Sequence, residues 1–143
     1  MSTSPVELPL SPGNKGWIAA VVNADFHQQA FIEVLNDKRN VITSATFQGR
    51  GTRVHMENIF DNKPHWSFGP FNYNATVRVT ISNSRTGDSY VNSKMVGPLI
   101  INKAAETEYP IEFISSTVIS EDLQDASHDD ATVTVLQYKE PSK

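Results

Sequence analysis

The sequence predicts an all-β fold, an antiparallel β-sandwich with Greek-key or jelly-roll-like connections, in a single domain spanning 1–143. Three observations predict it. Apolar residues recur at spacing two in segment after segment, which is the period of a strand with one face buried. Clusters of Gly, Asn, Asp and Pro separate these segments and supply turn geometry. No window has the three-and-four spacing of an amphipathic helix. Short strands at regular intervals in a chain of 143 residues read as a sandwich.

In chain order, GWIAAVVN (16–23) is apolar on both faces and predicts a covered central strand. QAFIEVLN (29–36), NVITSATFQ (40–48) and RVHMEN (53–58) follow, rich in β-branched and aromatic residues. ATVRVTIS (75–82) alternates most clearly, with Val77, Val79 and Ile81 on one face and Thr76, Arg78, Thr80 and Ser82 on the other. IEFISSTVIS (111–120) and ATVTVLQY (131–138) complete a reading of about eight or nine strands. NDKRN, GRGT, DNKPHW, SRTGDS and NKAAETEYP are expected as loops. Residues 1–5 and 139–143 are expected to be loose.

Composition excludes several functions. There is no cysteine, so disulfides, thiolate catalysis and Cys-bearing metal sites are unavailable. The formal net charge is −4, with 12 Lys and Arg scattered along the chain, which argues against a surface that tracks nucleic-acid phosphates. No apolar run approaches the roughly 18 residues of a membrane span. The start, MSTSPVELPLSPG, has neither the basic residues nor the apolar stretch of a secretory leader. A cytoplasmic product is therefore expected, released, if at all, by lysis or a dedicated non-classical route.

The most informative stretch is SEDLQDASHDDATVTV (120–135), where Glu121, Asp122, Asp125, Asp129 and Asp130 lead straight into a strand. A run of acids is often only a solvated loop. Here no Lys or Arg occurs from 120 to 138, and neighbouring carboxylates repel by roughly 1 kcal/mol per pair even in water. A divalent cation would offset that repulsion, and calcium accepts six to eight oxygen ligands in a flexible shell. The EF-hand pattern does not fit. With Asp125, Ser127 and Asp129 as its first ligands, Asp130 falls where glycine belongs and Leu136 where the closing Glu belongs.

The acidic stretch resembles the metal loop of the bacterial two-calcium fucose- and mannose-binding lectins, the fucose-binding lectin II family. The N-terminal part is similar too: Leu8-Pro9, Gly16, the apolar strand WIAAVV, Asn23, then ADFH and Gln28. ATVRVTISNSRTG matches a central strand and turn of the family more weakly, and 48–74 has no counterpart. The resemblance implies a β-sandwich that pairs as a homodimer and binds a monosaccharide through calcium. It implies Asn23, Glu121, Asp125, Asp129 and Asp130 as calcium ligands, and Asp122 as an acceptor for sugar hydroxyls. A loop at 24–26 (Ala24, Asp25, Phe26) would line the sugar pocket, and Ser127 is counted with the sugar-contacting residues. Three departures mark this chain. Ser127 stands where the family has a bridging aspartate, and Asp129 where it has asparagine. Glu140 lies about where the family chain ends in a glycine, and Pro141, Ser142 and Lys143 run beyond it.

The remaining candidates are weaker. The four histidines, at 27, 55, 65 and 128, lack HxxxH or HxH spacing. His27 and His128 read as loop residues, Trp17 as core, and Trp66 as either a surface platform or packing under a loop. Asn74-Ala75-Thr76 is a glycosylation triplet that reads as chance. No Ser-His or Gly-rich phosphate motif points to an enzyme, and a glycoside hydrolase would need opposed carboxylates rather than one acidic loop. A non-enzymatic assembly protein with the same fold and a degenerate sugar site is the alternative.

Overall fold

Alternation of buried and outward side chains continues almost unbroken from Asn14 to Leu35, and those residues form one strand of 22 residues. The computed structural model describes residues 3–105, 111–120 and 130–139. Among them are ten strands and no helix. They are β1 (Val6–Leu10), β2 (Asn14–Leu35), β3 (Val41–His55), β4 (Glu57–Asn58), β5 (His65–Phe68), β6 (Ala75–Ser84), β7 (Val91–Asn92), β8 (Met95–Ala105), β9 (Ile111–Ser120) and β10 (Asp130–Lys139). Every pairing is antiparallel.

A strand this long exceeds the usual 3–10 residues, and β2 uses its two halves differently. Its first half pairs with β10 from Asn14 to Asn23 and with β5 from Gly16 to Ala19. Its second half pairs with β6 from His27 to Leu35. β3 pairs with β2 from Val21 to Leu35, with register shifts between Val22 and Ala24 and between Ala24 and Gln28. Such irregularities bend a strand and increase its twist. The two leaves are therefore one continuous sheet, in the order β1-β6-β2-β10-β9-β8. The end strands β1 and β8 approach each other. Inward residues of both leaves, including Leu8, Ile18, Val22, Ile32, Val79 and Val133, form one buried cluster.

The predicted fold class holds, and several boundaries move. The expected loop at 24–26 lies within β2, so GWIAAVVN and QAFIEVLN are one strand. GRGT lies inside β3, where Gly51 at φ +124° accommodates an irregular pairing rather than a chain reversal. Residues 102–105 extend β8, whose start is broken in the sequence by Gly97-Pro98 and in the sheet by a register shift between Val96 and Leu99. VELPL forms the edge strand β1, a place that tolerates Pro9. HWSF, taken as part of a loop, pairs with β2 as β5. Lys139, expected in a loose tail, pairs with Asn14. Trp17 faces outward from β2 and stacks on His65, ring centroids 5.9 Å apart, while Trp66 packs against the core.

Polar groups secure the end of the fold away from the acidic stretch. Gln137 is buried; its Oε1 accepts from the Ser11 N–H (3.1 Å) and Asn14 Nδ2 (3.0 Å), and its Nε2 donates to Pro9 O (2.7 Å). This ties β10 to the β1–β2 turn. On the surface, the Arg39 guanidinium donates to both Glu7 carboxylate oxygens and holds that carboxyl below its ordinary range. So exposed a pair adds little stability.

Gly16 brings β2 close under the Phe68 ring: a Cβ there would lie 2.2 Å from Phe68 Cε2. Gly16→Ala is expected to destabilise the protein by about 1–3 kcal/mol through overpacking, as read by urea unfolding. Adding Phe68→Leu should recover part of the loss, and strictly additive losses would show that the two residues do not conflict.

Candidate functional site

The acidic stretch is anchored at both ends. β9 ends at Ser120 and β10 begins at Asp130, and Asp130 lies directly opposite Asn23 in the β10–β2 register. Opposed Cα atoms in an antiparallel pair are about 4.5–5.5 Å apart. The backbone thus brings together Asn23 and the last acid of the stretch, although 107 positions separate them (130 − 23). Glu121, Asp122, Asp125, Asp129, Ser127 and His128 lie outside the described residues, and so does the Asp130 side chain. Among the described residues no group of three or more His, Asp or Glu side chains is placed to hold a metal.

Ser120 closes the base of this segment. Its buried Oγ accepts the Ala131 N–H at 2.8 Å and donates to Ala131 O at 3.4 Å. One hydroxyl therefore joins the residue before the acids to the residue after them. Sequence reasoning missed this role, although a serine directly before the first acid, a residue that readily bonds nearby backbone, was a usable signal.

Three successive residues of β2, 25 to 27, face outward, because the strand is irregular there. Ala24 is buried in the core cluster and Asp25 is exposed. Phe26 is half-buried, with the Arg85 guanidinium 5.6 Å from its ring centroid, a cation–π distance. His27 is in the strand rather than a loop; Arg50 Nη1 donates to its Nε2 at 3.2 Å, and its ring lies against Gly87. Beyond the irregularity, Gln28 is completely buried, and among the described residues neither its Oε1 nor its Nε2 has a hydrogen-bond partner. An unmet buried polar group costs about 1–3 kcal/mol.

A second feature lies on the outer face of β8, β9, β10 and the first half of β2. The register aligns Val96, Ile119, Thr132 and Val21 in one row and Leu99, Thr117, Thr134 and Ala19 in the next. Ile101, Ser115, Leu136 and Trp17 form a third row. None of these residues is charged, and Leu99 is 65% exposed.

No protein-family model matches the chain, and no curated protein matches it. Among solved structures, a Chromobacterium violaceum lectin in complex with alpha-methyl-fucoside superposes with a TM-score of 0.50 and 19% identity, covering 100% of both chains. The chain shares that lectin's fold. A high-affinity mannose-binding lectin of Ralstonia solanacearum gives a TM-score of 0.49 and 20% identity, again over 100% of both chains. The likeness to the Chromobacterium lectin includes 48–74, which had no counterpart at the level of sequence. That stretch holds the later part of β3, β4 and β5; β3 and β5 pair with β2, and β4 with β3.

Gln28→Met removes both unmet polar groups and nearly preserves volume, so thermal unfolding should show a gain of about 1 kcal/mol. A loss of stability would instead mean that the amide holds the irregular stretch of β2 in place.

Proposed function

We propose that this chain is a calcium-dependent carbohydrate-binding protein, with Asn23, Glu121, Asp125, Asp129 and Asp130 as metal ligands. Asp122 accepts hydroxyls of a monosaccharide, and Asp25, Phe26 and Ser127 flank it. One observation carries the reading: Asn23 lies opposite Asp130, at the end of an acidic stretch whose base Ser120 closes. A shared fold with a fucoside-binding lectin supports it.

The chemistry follows from the donor types. Asn23 offers a neutral amide oxygen, and the acids offer charged oxygens in a stretch without lysine or arginine. Bound calcium supplies a charged centre that can replace water around a pair of vicinal hydroxyls. The β10–β2 ladder and the Ser120 hydroxyl fix the backbone at the two ends of the stretch, at Ser120 and at Asp130 opposite Asn23. Ala24 acts from beneath, filling the core under the site.

The three uncharged rows on the outer face of β8, β9, β10 and β2 suit a second copy of this chain, and the proposed assembly is a homodimer joined there. Exposed apolar surface of this kind is typical of an interaction site.

Calorimetric titration of chelator-stripped protein should give saturable calcium binding, with a melting temperature that rises with calcium concentration. Asp130→Ala should abolish both, and Ser127→Asp should tighten binding by restoring a negative charge. A melting curve unmoved by millimolar calcium would defeat the metal reading. Glycan binding that survives a chelator would remove the metal-bridged mechanism, and release of sugar from an aryl glycoside would favour an enzyme.

The dimer is tested separately by sedimentation. Leu99→Lys with Ile119→Lys should yield monomers, and wild-type protein that is already monomeric at micromolar concentration would refute the pairing.

A further inference from the structure

The turn after β4 holds a phenylalanine in water by design of its hydrogen bonds. Phe60 is 92% exposed, yet its backbone is fixed. Asn58 Oδ1 accepts the Phe60 N–H (3.0 Å), Thr46 O accepts the Ile59 N–H (2.9 Å), and Asn58 O accepts the Asn62 N–H (2.7 Å). Asn62 adopts φ +59°, a left-handed conformation that asparagine tolerates. Ile59, beside it, is also exposed. Two large apolar side chains are therefore presented to solvent on a rigid turn, at a place where the core gains nothing from them.

This turn, with β3 and Trp66, lines a pocket of about 670 Å³. Its walls include Trp66, Phe60 and Ile59, and its polar lining includes Ser44, Thr46 and Asp61. The volume falls within the usual range for small-molecule sites, which combine apolar walls with a few convergent polar groups. Asp61 Oδ1 accepts the Lys63 N–H at 3.0 Å, which orients the carboxylate.

We propose that this pocket is a metal-independent binding site for a pyranose ring, laid against Trp66 and flanked by Phe60. A pyranose has flat faces of C–H groups and a rim of hydroxyls. The aromatic walls match the faces. Asp61, Thr46 and Ser44 match the rim, since a carboxylate accepts and a hydroxyl both donates and accepts. A purely apolar ligand would gain nothing from those polar groups, and a polar one without flat faces would leave Trp66 and Phe60 uncovered. The site stands apart from the acidic stretch: Trp66 lies opposite Ile18, five residues before Asn23 along β2, or roughly 17 Å of extended strand. It does not depend on the calcium reading.

The test uses chelator-stripped full-length protein. Saturation-transfer NMR is run with the methyl glycosides of glucose, mannose, fucose, galactose and N-acetylglucosamine. The fluorescence of Trp66 is read in parallel in a Trp17→Phe background, where it is the only tryptophan. At least one glycoside should bind saturably and change the Trp66 emission. Phe60→Ser and Asp61→Asn, both at exposed positions that leave the core intact, should each weaken that binding, Phe60→Ser by about tenfold. Asp130→Ala should leave it unchanged. The proposal is overturned if no glycoside binds without calcium, or if binding is unaltered in both pocket variants. It is also overturned if Asp130→Ala abolishes binding, or if cyclohexanol binds as tightly as the glycosides.

Discussion

The molecule depends on β2 remaining one hydrogen-bonded strand across both leaves. It pairs with β10, β5, β3 and β6, so its backbone fixes the relative position of elements far apart in sequence. Backbone N–H and C=O groups must be paired when buried, and β2 meets that demand with different partners in its two halves. The change of partner falls at residues 24–27, where the pairing slips. A regular strand could not leave β10 on one edge and take up β6 there without turning. The irregular stretch performs that turn, and its outward residues lie just beyond Asn23.

This constraint explains which parts of the fold were legible. Period-two patterning identified β6, β9 and β10, because each has one inner and one outer face throughout. It failed at 24–26, since the ladder with β3 passes from Ala24 to Gln28 and three successive outward residues break the period, and the break looks like a loop. It failed likewise at Gly49 and Gly51, which allow close approach inside β3 rather than a turn. β8 was missed because Gly97-Pro98 interrupts it and because its outward residues, Leu99 and Ile101, are apolar instead of polar. An apolar outer face removes the alternation that marks a strand.

The candidate site was legible in a different way. Charge crowding in 121–130 needs no structure to be noticed, and the pairing of Asn23 with Asp130 places the amide opposite the last acid. Less legible was what lies around it: the Ser120 hydroxyl joined to Ala131, and the buried amide of Gln28. Gln28 stands between His27 and Gln29, and nothing in that polar stretch singles it out as the buried one. Gln28 also carries an energetic argument. A buried amide without partners is a net cost, and stability alone does not explain it. Proteins tend to hold such strain close to functional sites, and Gln28 lies five residues from Asn23.

The two proposed sites address the two halves of the same recognition problem. Sugar hydroxyls are well solvated and yield their water only to strong acceptors or a cation, whereas the C–H faces of the ring gain from any apolar wall. The acidic stretch supplies charge but, from 120 to 130, no aromatic side chain. The pocket near Trp66 supplies aromatic walls and a single acid. Both are fixed to β2, one through β10 and the other through β5 and β3. A glycan longer than one residue could engage both only if it followed the strand between them. The rigidity of β2 would then set the spacing of the sugars, and binding at one site would raise the effective concentration of the chain at the other.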